Sequence, residues 1–295
     1  MTSPAPFGRM LTAMATAFTD DGEVDLDGTA AIAHHLVDHG HDGVVVSGTT
    51  GESPTTSVGE SGEILRVVKD AVGDRATVIA GVGTNNTAHS IELAQQAEKL
   101  GADALLLVTP YYSKPGQAGV LHHFEQVVGA TGTPVVLYDV PGRTGTQISL
   151  ETYERIKSDT VVAVKDAVGD FARGVRLLEL GYSIYSGDDV SNLAWLAHGA
   201  SGVISVVGHA AGHPIRSMIE DFLDGNTTAA LKTYQRLLPA TTAIMGVPNY
   251  GATTAKACLQ LLGVLDNRNV RGPLVPLTDD EVGALRAGLE ASQLL

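Results

Sequence analysis

At 295 residues the chain is long enough for one large domain or two ordinary ones, and its 44% apolar and 18% charged composition excludes disorder as the dominant state. A net charge of −14 excludes the basic face that nucleic acid or an anionic membrane requires, so neither is expected as a partner. The single cysteine, Cys258, excludes an intrachain disulfide and an all-cysteine metal cage, and makes a reducing, cytoplasmic setting the default.

The opening segment MTSPAPFGRMLTAMATAF lacks the charged-then-apolar layout of a signal peptide. No stretch approaches the ~20 apolar residues of a bilayer span. Residues 10–18 form the first of eight short apolar runs; the others are 43–48, 77–83, 104–110, 134–141, 161–166, 182–187 and 202–208. They are continuous rather than alternating, which predicts strands buried on both faces. Helix-period segments lie between them. The first, 25–40, sets Ala30, Ala33, His34 and Val37 at helical spacing, and the second opens on a Ser57-x-x-Glu60 capping box and runs through Ile64, Leu65 and Val68. The third, 89–101, ends on Gly101, and further helices fit 117–131, 149–158, 171–180, 191–198 and 214–224.

Strand and helix thus alternate eight times, with about 25 residues per unit. Strict alternation predicts a parallel sheet with right-handed crossovers, closed as a (β/α)8 barrel, the TIM barrel. A doubly wound open sheet is the rival, but it favours a nucleotide fingerprint, and GVGTNN (81–86) lacks the third glycine. Residues 225–295 break the alternation with three helical patterns near 226–238, 250–262 and 279–293, the last opened by a Thr278-x-x-Glu281 box. The expected division is a barrel over 1–224 and a C-terminal three-helix region over 225–295.

Chemistry in such a barrel sits at the C-terminal strand ends. Lys165 closes the apolar run VVAVK. Alternation puts Val161, Ala163 and Lys165 on one face and Val162 and Val164 on the other. With Val162 and Val164 against the helices, Lys165 points into the barrel mouth, where desolvation favours the neutral amine that attacks carbonyls. The competing reading pairs Lys165 with Asp166 or Asp188. Tyr138 shares a face with Val136 and is placed to pass protons beside such an amine; alternatively it is a core tyrosine. Arg143, after Pro141 and Gly142, offers a planar cation for a carboxylate, or is a surface arginine. Gly48-Thr49-Thr50-Gly51 offers backbone N–H groups and two hydroxyls to an anion, or is a plain turn. Asp188 and Asp189 offer an acid/base pair, or, the favoured reading, cap the next helix. His35/His39 and His209/His213 have i, i+4 spacing without an HExxH frame, so no metal is expected. Cys258 reads as a small core residue.

The ordered set SGTTGESPT (47–55), VTPYY (108–112), YDVPGRTG (138–145), VVAVKDA (161–167), SGDD (186–189) and GVISV (202–206) resembles the dihydrodipicolinate (4-hydroxy-tetrahydrodipicolinate) synthase family of pyruvate-type class I aldolases. The resemblance runs from about residue 8 to the C-terminus. It implies a lyase that condenses pyruvate with L-aspartate-4-semialdehyde on the way to diaminopimelate and lysine. No cofactor is implied beyond an imine on Lys165. By motif, Tyr138 matches the proton donor and acceptor, and Thr49 and Tyr112 match the other relay members. The tyrosine matching Tyr112 reaches into a neighbouring protomer's site, which implies an oligomer, usually a homotetramer. Thr50 and the backbone around Ile204 match pyruvate contacts, Gly187 a site-lining position, and Arg143 the residue that holds the semialdehyde's carboxylate. Relatives such as N-acetylneuraminate lyase generally lack that arginine.

Two alternatives stand beside this. One is a Schiff-base lyase or dehydratase acting on a 2-keto-3-deoxy sugar acid, against which Arg143 speaks. The other is a non-catalytic barrel that binds a small acid, against which the intact set Lys165, Tyr138, Thr49 and Tyr112 speaks. Many members are inhibited by lysine between protomers. Ser53, Asn85 and Tyr111 fit that inhibitor site, but Val58, Ser61 and His89 stand where the lysine-sensitive branch usually has His, His and Glu. Weak or absent inhibition is therefore expected.

Overall fold

The computed structural model describes residues 4–248 and 250–295. Eight strands close a barrel in sequence order, each parallel to its neighbours, with β1 beside β8. In chain order the elements are β1 (Met10–Ala13), α1 (Leu26–Asp38), β2 (Gly43–Val46), α2 (Val58–Val72), β3 (Thr77–Gly81), α3 (Thr87–Lys99), β4 (Ala104–Val108), α4 (Gln117–Val128), β5 (Val135–Asp139) and the short α5 (Pro141–Thr144). There follow α6 (Leu150–Ile156), β6 (Val161–Asp166), α7 (Phe171–Glu179), β7 (Ser183–Ser186), α8 (Asn192–Ala197), β8 (Gly202–Ser205) and α9 (Gly208–Leu223). Then α10 (Thr227–Met245), α11 (Ala252–Leu261) and α12 (Asp279–Ala291) complete the chain. Among the described residues no helix is long and apolar enough to cross a membrane.

The strands read as unbroken apolar runs because both their faces are covered. Leu11, Val45, Ile79, Leu106, Val136, Ala163 and Ile204 fill the barrel interior. Val44, Val78, Leu105, Leu107, Leu137, Val164 and Ile184 pack outward against the helices. The expected alternation fails at one place. In β6, Val161 packs in the outer core, and the half-buried Val162 faces the interior cluster. The ladder explains it: Val135 pairs with Val161 but Val136 with Ala163, so Val162 is an extra residue, a bulge. Beyond it the alternation resumes, and Lys165 keeps its inward direction.

Both expected capping boxes form, Ser57 with Glu60 and Thr278 with Glu281. Asp25, Asn86, Ser149 and Asp170 cap α1, α3, α6 and α7 through their side chains. Two helices outrun their expected bounds, and proline is the reason in each. The eighth begins at Gly208 rather than 214, with a kink at Ala211 and Pro214 inside it. The first C-terminal helix runs to Met245, carrying Pro239 within it. Pro214 and Pro239 resemble boundaries in sequence, but packing holds the turns around them. Cys258 is buried in α11, where burial pushes its thiol up to about 12. Val203 of β8 and Met218 and Ile219 of α9 share a core cluster with Leu237, Ile244 and Leu285 of the C-terminal helices.

Candidate active site

Lys165 ends β6 beside Tyr138, its ladder partner on β5. Its ammonium lies 4.4 Å from the centre of the Tyr138 ring, and the residue is 4% exposed. Burial lowers the Lys165 pKa to about 8; the Asp189 charge pulls upward, and Arg143 pushes further down. Neither suspected acidic partner reaches it. Asp166 points to the opposite side of the strand and pairs with Arg173 at 2.8 Å, while Asp188 accepts from the Ser191 hydroxyl at 3.3 Å. Burial also raises the Tyr138 phenol above its ordinary value, so the hydroxyl keeps its proton.

The residues that follow these two on their strands are both fully buried aspartates. Arg173 of α7 donates to Asp139 and to Asp166, joining the ends of β5 and β6 through one guanidinium. Its Nη2 also donates to the Ile148 carbonyl at 3.0 Å, and Asp166 accepts from the Val168 and Gly169 N–H groups at 2.8 and 3.1 Å. Burial pushes Asp139 up to about 7 against the pull of Arg173. Asp188 precedes the short helical turn Asp189–Ser191 and its carboxylate is hydrogen-bonded by the Val190 backbone, whereas Asp189 departs from the capping expectation. Asp189 instead accepts from Ser205 at 2.5 Å and from the Val206 and Val207 N–H groups at 2.7 and 3.0 Å, which ties the end of β7 to that of β8.

A cavity of about 320 Å³ opens over Lys165. Thr49, Thr50, Tyr138, Arg143 and Gly187 line it together with Lys165. Thr50 is buried, whereas Thr49 and Arg143 are exposed at the rim. A side chain at Gly187 would be crowded, because a Cβ there would lie 3.0 Å from the Asp166 carbonyl oxygen and 3.0 and 3.1 Å from the Lys165 Cγ and Cε. Two expected residues stand apart. Ile204 lies below the cavity, 1% exposed in the barrel interior, and the wall above it is Val206. Tyr112 lines an adjoining cavity of about 310 Å³ that also touches Thr49, Tyr138 and Arg143; it is 90% exposed, with a left-handed φ of 70°.

A family model described as the dihydrodipicolinate synthetase family matches residues 6–292. The chain belongs to that family. It is 55% identical to the 4-hydroxy-tetrahydrodipicolinate synthase of Acidothermus cellulolyticus over 98% of this chain and 94% of that one. It is 53% identical to that of Kineococcus radiotolerans over the same shares. Among solved structures, the dihydrodipicolinate synthase of Bacillus anthracis aligns with a TM-score of 0.92 at 40% identity, over 96% of this chain and 98% of that one. The lysine-bound enzyme of Cyanidioschyzon merolae aligns with a TM-score of 0.94 at 38% identity, over 99% and 100%.

Against that family background, three contributions to the site lie outside the strand-end motifs. Met245, the last residue of α10, and Tyr250 and Gly251, from the connection to α11, wall the Lys165 cavity. The Tyr250 ring sits 4.8 Å from the Arg143 guanidinium carbon. Strand periodicity gives no signal for them, since they belong to a region read only as a helical appendage. The Arg173 clamp had a signal: two strands that both end in an aspartate after a candidate catalytic residue need a buried cation. Lys256 of α11 is the third, and its partner lies 204 residues away at Glu52.

Proposed function

We propose that the chain is a 4-hydroxy-tetrahydrodipicolinate synthase, an aldolase-type lyase that condenses pyruvate with L-aspartate-4-semialdehyde. The observation that carries this reading is the buried Lys165 amine, held without a carboxylate partner on the floor of a cavity rimmed by an arginine. The neutral amine attacks the pyruvate ketone carbon, and loss of water gives an iminium. The iminium accepts the electron pair of a methyl C–H bond as that proton leaves, which forms an enamine. The enamine carbon attacks the aldehyde, and the substrate's own amine then displaces Lys165 as the ring closes. Tyr138, Thr49 and Tyr112 carry the protons, Thr50 and the backbone beside Ile204 hold pyruvate, and Gly187 leaves room for the lysine. Arg143 meets the semialdehyde carboxylate, and Tyr250 stacks on it from the other side. This chemistry requires neither metal nor organic cofactor.

The exposed Tyr112 supports a homotetramer in which it serves a neighbouring protomer. Lysine inhibits weakly or not at all. Ser53, Ser61, Asn85, His89 and Tyr111 line a separate hollow of about 160 Å³, and its lining includes no carboxylate to hold an ammonium. Substantial inhibition by sub-millimolar lysine in a steady-state assay would contradict that part. The main test is borohydride reduction in the presence of pyruvate, followed by peptide mapping. A pyruvate-derived adduct on Lys165 is expected, and its absence on folded protein removes the mechanism; turnover with the semialdehyde then separates a synthase from a sugar-acid lyase.

A further inference from the structure

The loop that carries Thr49 and Thr50 has an unfavourable backbone. It is flanked by Ser47 at φ 51° and Glu52 at φ 57°, two non-glycine residues in the left-handed region. Its internal bonds are few: Glu52 N–H donates to the Thr49 carbonyl at 3.1 Å, and Ser53 N–H to Gly48 at 3.2 Å. Such a conformation persists only where its surroundings fix it. The buried Thr16 hydroxyl donates to the Gly51 carbonyl at 2.9 Å, and the Glu52 side chain supplies the tie to the C-terminal region. It is 2% exposed, and Lys256, 1% exposed on α11, donates to it at 2.5 Å. The Arg271 backbone N–H donates to its other oxygen at 2.8 Å. Lys256 also donates to the Asn269 carbonyl at 2.6 Å, and the Arg271 side chain reaches Gly22, Thr55 and Glu60. Neither Glu52 nor Lys256 lines the Lys165 cavity. A sealed ion pair is a poor source of stability, since an apolar pair of equal volume does as well. A fixed geometry is what it supplies.

We propose that Glu52 is a positioning residue, and that Lys256 and the Arg271 N–H, by holding its buried carboxylate, set the Gly48–Gly51 loop so that Thr49 and Thr50 face the cavity. Lys256 and Arg271 thereby take part in the reaction from outside the Lys165 cavity. The inference rests on the reading that Lys165 forms an imine with pyruvate.

The test compares Glu52→Gln, Lys256→Met and, as a control, Leu259→Ala, a core residue of the same helix outside the lining of the Lys165 cavity. The readout is the second-order rate of borohydride-trapped pyruvate adduct at a temperature where each protein is folded. Glu52→Gln and Lys256→Met should each slow trapping about tenfold, the scale of a small misplacement at a reacting centre, while its pH midpoint stays where it is in the unsubstituted protein. Leu259→Ala should lower the melting temperature and leave trapping alone. Unchanged trapping in Glu52→Gln overturns the inference, and that near-isosteric variant decides the matter if Lys256→Met is insoluble. A Leu259→Ala effect as large as theirs also overturns it, because general loosening would then suffice. No adduct on the unsubstituted protein would instead defeat the imine reading itself.

Discussion

Among the described residues no carboxylate bonds to Lys165, so burial penalises its protonated form and the Asp189 charge offsets only part of that. With a pKa of about 8, roughly one amine in ten is neutral at pH 7, against about one in three thousand at an ordinary value. Pyruvate trapping should therefore rise about tenfold between pH 5 and 6, keep rising to near 8, and level off above it. A rise continuing to pH 10 would show an ordinary amine. Burial lowers Lys256 to about 8 as well, yet Lys256 lines no cavity over the site, so the adduct should map to Lys165 alone. Gly187→Ala pushes a methyl group against the Lys165 stem. It should cost about 1–3 kcal/mol of overpacking and slow trapping at least tenfold, read by melting and by the same assay. Lys165 was legible because a lysine that ends an apolar strand has only the barrel mouth to enter. Lys256 was not, because nothing in ATTAKACLQL points to a glutamate in the second βα loop.

At the scale of elements, the join between β5 and β6 decides where the tyrosine and the lysine stand. Among the described residues Arg173 is the one cation paired with both buried carboxylates there, and its loss leaves them without one. Arg173→Met should destabilise by about 3–5 kcal/mol in denaturant titrations, whereas a surface pair such as Arg176–Glu179 should matter by less than about 1 kcal/mol when broken. Equal costs for the two would show that the clamp is not structural. All eight strands were legible from largely apolar runs, since two covered faces leave few positions for polar side chains, most of them at the strand ends. The β6 bulge was not, because an inserted valine among valines leaves the composition unchanged. The starts and ends of α9 and α10 were obscured by Pro214 and Pro239, where tertiary packing overrides a local preference against helix.

Across the whole molecule, the barrel and the C-terminal helices share two apolar clusters, one of which also takes in Ala255 and Leu259 of α11. Val203, Met218, Leu237, Ile244 and Leu285 bury one another, so neither part closes its surface alone. A chain stopped after Asp224 should be insoluble or expanded, and the full chain should melt in a single transition seen alike by far-UV and near-UV dichroism. A soluble, cooperatively melting truncation would make the appendage a separate unit. The alternation of elements foretold the barrel but not this union, because alternation records order along the chain and is blind to what later segments cover. Time enters here as well. Glu52 leaves the ribosome 204 residues before Lys256, which at 5–20 residues per second is a wait of about 10–40 s. All eight strands have been synthesised before that bond can form, so in every newborn chain the Gly48–Gly51 loop waits without its tie to α11, and any product of premature termination before α11 stays that way.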